Sequence, residues 1–445
     1  MSAKKPRRVV IMGAAGRDFH TFLTLYRDDA ATEIVAFTAA QIPGIAGRGF
    51  PAALAGPRYP DGIAIVAEAA LERRCSERAV DDVVCAYSDL RHEDVMHLAS
   101  RAIAAGARFV LPGARESMLR SKKAVIAVSA VRTGCGKSQT SRYLSRHLKE
   151  RGFNVVLVRH PMPYGDLARQ AVQRFATPAD LDAADCTIEE REEYEPPMGA
   201  GIVVFAGVDY RAILERAEQE ADIILWDGGN NDFPFFRPDL HIVVTDALRP
   251  DQLATHHPGE AVLRMADIAV INKTDAADRA TADRMSEAIG RIAPGIPIVR
   301  AASPATLENE AAVRGKRVLI VEDGPTVTHG GMAFGAGWSA VRGLPGVTVV
   351  DPRDSADADI AAVYRQYPHI GRVLPAMGYG DAQRRSLART IDASGADVVV
   401  SATPADLARV LTLRKPVVRV GYEYRDTEPP YLATLVDAFV ERIGL

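Results

Sequence analysis

Short apolar runs rich in β-branched residues recur along the chain, bounded by turn formers and separated by stretches long enough for a helix. In the first part they cover residues 9–12, 34–37, 83–86 and 109–111. In the middle they cover 125–128, 155–158, 202–205, 223–226, 241–244 and 268–271. The last part restarts at 317–321 and continues at 347–350, 398–400 and 417–420. These runs are continuous rather than alternating, which predicts strands buried on both faces, hence parallel sheets covered by helices. The chain has 445 residues, beyond the roughly 250–300 at which a single core stops growing. The expected architecture is α/β in three units: a Rossmann-like segment over 1–120, a central unit over 121–310 and a second Rossmann-like segment over 311–445.

The central unit carries the sharpest motif. Arg132-Thr133-Gly134-Cys135-Gly136-Lys137-Ser138 lies between the apolar run at 125–128 and a helix-like stretch over 139–151. Glycines there let backbone N–H groups turn toward phosphate oxygens, a lysine reaches the β/γ oxygens, and a hydroxyl helps hold Mg²⁺. The following helix adds its positive end. The common pattern places glycine where Val131 stands. The variant loop Lys-Gly-Gly-x-Gly-Lys-Thr fits better, with Arg132 in its extra basic slot and Thr133 replacing the first glycine. The central unit is therefore expected to be a P-loop NTPase domain, with Gly134, Cys135, Gly136, Lys137, Ser138 and Gln139 binding nucleotide and Lys137, Arg132 and Asp227 acting in catalysis.

Asp227 ends the apolar run at 223–226, where it would join Ser138 in the Mg²⁺ shell. Gly228 and Gly229 then permit a turn near the γ-phosphate. Asn272-Lys273-Thr274-Asp275 is the guanine-reading pattern of GTPases, and Ser303 stands where a second base-contacting loop is placed. These residues point to GTP, although related P-loop enzymes keep similar residues while using ATP.

The flanking segments carry further polar loops. The turn over 13–18 lacks the middle and third glycines of a dinucleotide fingerprint, which disfavours a nicotinamide dehydrogenase. It suits a smaller anion, with Arg17 as counter-charge. Residues 41–62 hold many turn formers together with Arg48, Arg58 and Tyr59, as expected of an ordered functional loop. Residues 322–332 bring two acids, two threonines and a histidine to one strand end, a candidate substrate or metal edge. The acidic stretch with Glu189, Glu190, Glu192 and Glu193 offers either magnesium ligands or, more commonly for such a run, a solvated helix face. His256-His257 has no partner ligands nearby in sequence and is not expected to bind metal.

A net charge of −3 with 25% charged residues argues against a surface that coats nucleic acid. The four cysteines form no CxxC pair, which suits a reducing cytosol. The basic start of the chain lacks a signal-peptide core, and no apolar run approaches the ~18 residues of a membrane span. A cytoplasmic protein without membrane partners is expected.

Several long phrases together resemble the cyclic 2,3-diphosphoglycerate synthetase family: residues 13–20, 36–43, 159–166, 187–195, 227–232 and 322–331. The likeness runs along nearly the whole chain. It implies an ATP- and Mg²⁺-dependent enzyme that activates one phosphate of a small phosphorylated acid, such as 2,3-diphosphoglycerate, and closes an internal phosphoanhydride. It also implies a homodimer. Some members are known as predicted GTPases, so a GTPase of switch or metallochaperone type is the alternative. A substrate bearing four or five negative charges needs a basic cradle, for which Arg17, His20, Arg48, Arg58, Arg159, His160 and His329 are the candidates.

Overall fold

The computed structural model describes residues 5–14, 16–40, 47–160, 162, 165–377 and 380–445. Ala15 of the first turn, residues 41–46 of the turn-rich loop, and Pro161, Pro163 and Tyr164 of the 159–166 phrase lie outside the described residues. The fold is α/β, as the apolar runs predict, and it is built on three largely parallel sheets.

The first sheet runs in the order Gly49–Phe50, Ile63–Ala67, Thr32–Ala39, Arg7–Met12, Asp82–Cys85, Arg108–Val110. The central one runs Val172–Phe175, Val203–Gly207, Val155–Arg159, Ile223–Asp227, Ala124–Ala130, Leu240–Asp246, Ile268–Asn272, Ile298–Ala302, Arg425–Glu428. Only its two edge strands are antiparallel. Strand Ala124–Ala130 thus sits at the middle of the widest sheet, paired with Ile223–Asp227 on one side and Leu240–Asp246 on the other. The third sheet gathers Ala305–Leu307, Val417–Tyr422, Val398–Ser401, Arg317–Glu322 and Thr348–Val349.

Helix Lys137–Glu150 leaves the phosphate loop and covers the central sheet, burying Leu144 and Leu148 completely against Ile126, Val128 and Leu157. Each such leucine contributes about 1.5–3 kcal/mol of burial. His147 and Lys149 in its last turn complement the helix dipole. The end of the chain does not stay with the third sheet. Strand Arg425–Glu428 pairs with Ile298–Ala302, and helix Leu432–Arg442 packs Leu432, Val436, Phe439 and Val440 into the central core. Among the described residues no helix is long and apolar enough to cross a membrane.

The carboxyl ends of strands from all three sheets converge. Arg7–Met12 leads into Gly16 and Arg17, Val155–Arg159 into His160, Ala124–Ala130 into the phosphate loop, and Arg317–Glu322 into Asp323; all these leading residues line one cavity of about 1020 Å³. Ligand sites of open parallel sheets form at such ends.

Candidate functional site

The phosphate loop closes as its glycines require. Gly134 and Gly136 have φ of 79° and 104°, and a Cβ on Gly136 would stand 2.0 Å from the Asn272 amide nitrogen. Lys137 Nζ lies 3.1 Å from Asp227 Oδ1. The parallel register sets Arg159 beside Asp227, and the two form an ion pair while Arg159 reaches Glu193 at 2.5 Å. Ser138 Oγ donates to Glu193 Oε2 at 3.2 Å. Burial would raise the Asp227 carboxyl, but Arg159 and then Lys137 outweigh it and hold the group below the usual carboxylate range. The loop lysine thus rests against a carboxylate that Arg159 and Lys137 itself keep ionised. Ser138, Asp227 and Glu193 are hard oxygen donors at the loop, the kind of set that Mg²⁺ shares with phosphate oxygens. No cluster of three or more His, Cys, Asp or Glu suited to a metal occurs among the described residues.

The Asn272–Asp275 motif wraps the opposite side of the loop. Asn272 Nδ2 donates to the Cys135 carbonyl at 2.9 Å, and Lys273 Nζ donates to the Gly134 carbonyl at 2.6 Å and to Asp246 at 2.8 Å. Asp275 Oδ1 accepts from Ser303 N–H at 3.0 Å, and Ser303 Oγ donates to Gln139 at 3.0 Å. The nucleotide-binding residues expected from sequence are therefore drawn together. Asp246 and Arg249 were missed. Arg249 bonds Asp246, the Thr133 carbonyl at 2.7 Å and the Gly330 carbonyl at 3.0 Å, tying the phosphate loop to the third sheet. An apolar strand ending in Asp246 was the available signal.

Arg132 departs from the expected charge clamp. Its guanidinium is held by Asp89 at 2.6 Å and by Gln252, which fastens the first sheet to the phosphate loop. Thr133 adds to this seam, with Oγ1 donating to Asn230 at 3.0 Å and its N–H to Asp89 at 3.3 Å.

The proposed basic cradle assembles only in part. Arg17, Arg159, His160 and His329 line the cavity, while His20, Arg48 and Arg58 do not. Arg58 spends its guanidinium on the carbonyls of Asp29 and Thr32, each at 2.5 Å, at the far rim of the first sheet. Arg48 donates to the Gly165 carbonyl at 2.5 Å. His20 is fully buried, stacked on Phe235 at 4.0 Å between ring centroids, with Nε2 2.8 Å from the Ser117 carbonyl. It is a core residue joining two sheets. Burial holds His160 neutral, helped by Arg159 and Lys137, and lowers His329, which lines the cavity.

Burial likewise pushes His20 down to about 3. Protons bind the unfolded His20 below pH 6.5 but reach the folded one only near pH 3, so its contribution to stability is complete above pH 6.5 and declines as pH falls through that window. His20→Phe should therefore flatten the fall in unfolding free energy between pH 7 and pH 4 in urea titrations, and leave substrate KM values unchanged.

The acidic run is not a solvated face. Helix Ile188–Gly199 buries Glu189, Glu190 and Glu192 between the central and third sheets. Thr403 donates to Glu192, and burial, then the nearby Asp323 charge, drives the Glu192 carboxyl well above its usual range. Glu190 closes a capping box with Thr187 and is pushed up to about 7 by burial. Glu322 accepts from the N–H groups of Gly335, Gly337 and Trp338 at 3.0, 3.1 and 2.8 Å, so the first acid of the polar loop at 322–332 is engaged by the start of the helix that follows. Around the cavity the basic Arg17, Arg132, Lys137, Arg159, Lys273 and Arg342 are outnumbered by Asp18, Asp89, Glu189, Glu192, Glu193, Asp232, Asp275, Glu322 and Asp323. His256 and His257 pair with Leu90–Arg91 as a short antiparallel ribbon, and all four cysteines are buried and free.

Over 441 residues, 99% of this chain and 98% of the relative, the sequence is 54% identical to the arginine synthetase ArcE of Thermococcus kodakarensis. The chain belongs to the arginine synthetase ArcE family. It is accordingly an enzyme, and the synthetase of this family carries a different name from the cyclic 2,3-diphosphoglycerate synthetases its phrases resemble. No family model matches the chain. Among solved structures it is similar to LpxK of Aquifex aeolicus in complex with ATP, at TM-score 0.43 and 13% identity over 73% of this chain and 90% of that one. It is also similar to the hydrogenase maturation factor HypB of Archaeoglobus fulgidus, at TM-score 0.27 and 18% identity over 47% and 90%.

Proposed function

We propose that this protein makes arginine from a ureido amino acid and ammonia at the expense of ATP. The observation that carries this reading is the acid-rich cavity wall facing a complete phosphate loop. A substrate with four or five negative charges would meet carboxyl groups on most sides, whereas a guanidinium product and an ammonium co-substrate are complemented by them. The kinship with an arginine synthetase points the same way.

The chemistry follows from the product. A guanidinium carbon differs from a ureido carbon by nitrogen in place of oxygen, and that oxygen does not leave unaided. The ureido oxygen attacks the γ-phosphorus and ADP departs. Ammonia then adds to the activated carbon, and the C–O bond breaks to release phosphate and arginine. Transfer of this kind rests on positioning and charge neutralisation. Lys137 leaves Asp227 to hold the β/γ oxygens, and Arg159 keeps Asp227 ionised and holds Glu193 in place. Ser138, Asp227 and Glu193 would hold Mg²⁺, which supplies further neutralisation of the phosphates when bound. Glu192 and Asp323 line the cavity wall; ammonium bound there would offset the burial and mutual repulsion that favour their protonated forms, leaving a carboxylate to take up the proton that ammonium sheds. A dicarboxylate nitrogen donor such as aspartate is disfavoured by the same wall.

The pose of Asn272, Lys273, Asp275 and Ser303 favours a second reading of the donor, GTP. Both readings are tested by incubating the protein with Mg²⁺, citrulline, ammonium and either ATP or GTP, and assaying arginine and inorganic phosphate. Arginine formed with ATP and dependent on ammonium supports the proposal. Arginine formed only with GTP replaces the donor. Nucleotide turnover with 2,3-diphosphoglycerate but not with citrulline would restore the cyclic anhydride reading.

A further inference from the structure

The machinery above accounts for the nucleotide and the reacting carbon, but not for the wall supplied by the first sheet. Arg17 is 8% exposed and lines the cavity, and its Nη1 has no hydrogen-bond partner among the described residues. Its Nε lies 3.4 Å from Asp232 Oδ1, and its guanidinium covers the Phe233 ring at 4.7 Å. A buried guanidinium with an unused donor is costly unless a ligand supplies the acceptor. Two acids share this wall. Asp232 is 9% exposed and lines the cavity, and Asp18, which also lines it and whose charge acts on Asp232, has its carboxylate fixed by the Gly16 and Phe19 N–H groups at 3.1 and 2.7 Å. Burial raises the Asp232 carboxyl to about 6, in spite of the Arg17 charge, so it gains from a cation at close range.

We propose that Arg17 and Asp232 form the subsite for the amino-acid head group, Arg17 taking the α-carboxylate and Asp232, with Asp18, taking the α-ammonium. This rests on the arginine-synthetase reading and extends it to the far end of the substrate. The alternation of charge suits a zwitterion and suits a simple phosphate poorly, because the two acids would repel it. Connectivity supports the placement. Asp232 ends the turn that begins at Asp227, and within that turn Asn230 accepts from Thr133 Oγ1 of the phosphate loop at 3.0 Å. One short segment thus joins the phosphate-binding end to the head-group end, as a substrate gripped at one end and phosphorylated at the other requires. Phe233 and Arg17 share a face, so the packing that positions one positions the other.

Two measurements of the intact enzyme with ATP and ammonium test this. In the unmodified protein, citrulline is compared with 4-ureidobutylamine, which keeps the ureido end and lacks the carboxylate. A loss of about 100-fold in kcat/KM is expected for the amine, the scale of a charge-assisted contact left unmade. In Arg17→Gln the KM for citrulline should rise by a similar factor, the KM for ATP should stay put, and the preference for citrulline over the amine should collapse. Equal use of both acceptors by the unmodified enzyme overturns the subsite, and so does an unchanged citrulline KM in a folded Arg17→Gln. If that variant does not fold, the acceptor comparison decides alone. If the unmodified enzyme makes no arginine from citrulline, the functional reading itself fails and the subsite goes with it; arginine formation without discrimination sinks the subsite only.

Discussion

Lys137→Ala is expected to lower nucleotide-dependent turnover on the order of 10³-fold while leaving the fold intact. The ammonium is one charge aimed where charge develops on the transferring phosphoryl group, and removing one such preorganised donor costs about 10²–10³-fold or more. Its loss exposes no buried charge, because Asp227 keeps its ion pair with Arg159. Thermal denaturation should therefore move little. Steady-state phosphate release and a melting curve on the same preparation check both halves. Normal turnover in the variant would remove the phosphate-loop assignment.

Arg159→Met should behave differently, losing activity and stability together. Arg159 has no exposed surface and lies against both Asp227 and Glu193. Deleting one partner of a buried ion pair leaves uncompensated charge and costs about 3–5 kcal/mol. Here two carboxylates are left, one of them opposed only by Lys137. Chemical denaturation should show the loss at neutral pH, and its partial recovery as the pH is lowered and the stranded carboxylates take up protons. A variant as stable as the parent would mean that Arg159 is not the counter-ion of this cluster.

The contrast between these two residues marks what the sequence reveals. Lys137 was legible because a strand, a glycine loop, Gly-Lys-Ser and a helix occur in one continuous stretch, and local geometry dictates the rest. Asn272, Asp275 and Asp227 were legible for the same reason, each following an apolar strand run. Arg159 was read as part of an anion cradle, because its two acids come from a different strand and a different helix. The acidic run at 189–193 was expected to favour a solvated face. Charge spacing on a helix does not tell water from a neighbouring sheet, and here the neighbour is Thr403, 211 positions away along the chain from Glu192. His20 followed the same logic in reverse. Its ring is packed by Phe235 and Tyr210 across a long sequence separation, so a polar residue in a plausible loop proved to be core. The final strand, Arg425–Glu428, is wholly polar in sequence, and no periodicity could assign it to the edge of the central sheet.

The most direct test of the account follows one oxygen atom. Citrulline labelled with ¹⁸O in the ureido group is incubated with the enzyme, ATP, Mg²⁺ and ammonium, and the products are analysed by mass spectrometry. Phosphoryl activation predicts one ¹⁸O in each inorganic phosphate released, in step with arginine formed and with ADP as the nucleotide product. Label recovered in AMP, or phosphate free of ¹⁸O while arginine accumulates, would contradict it.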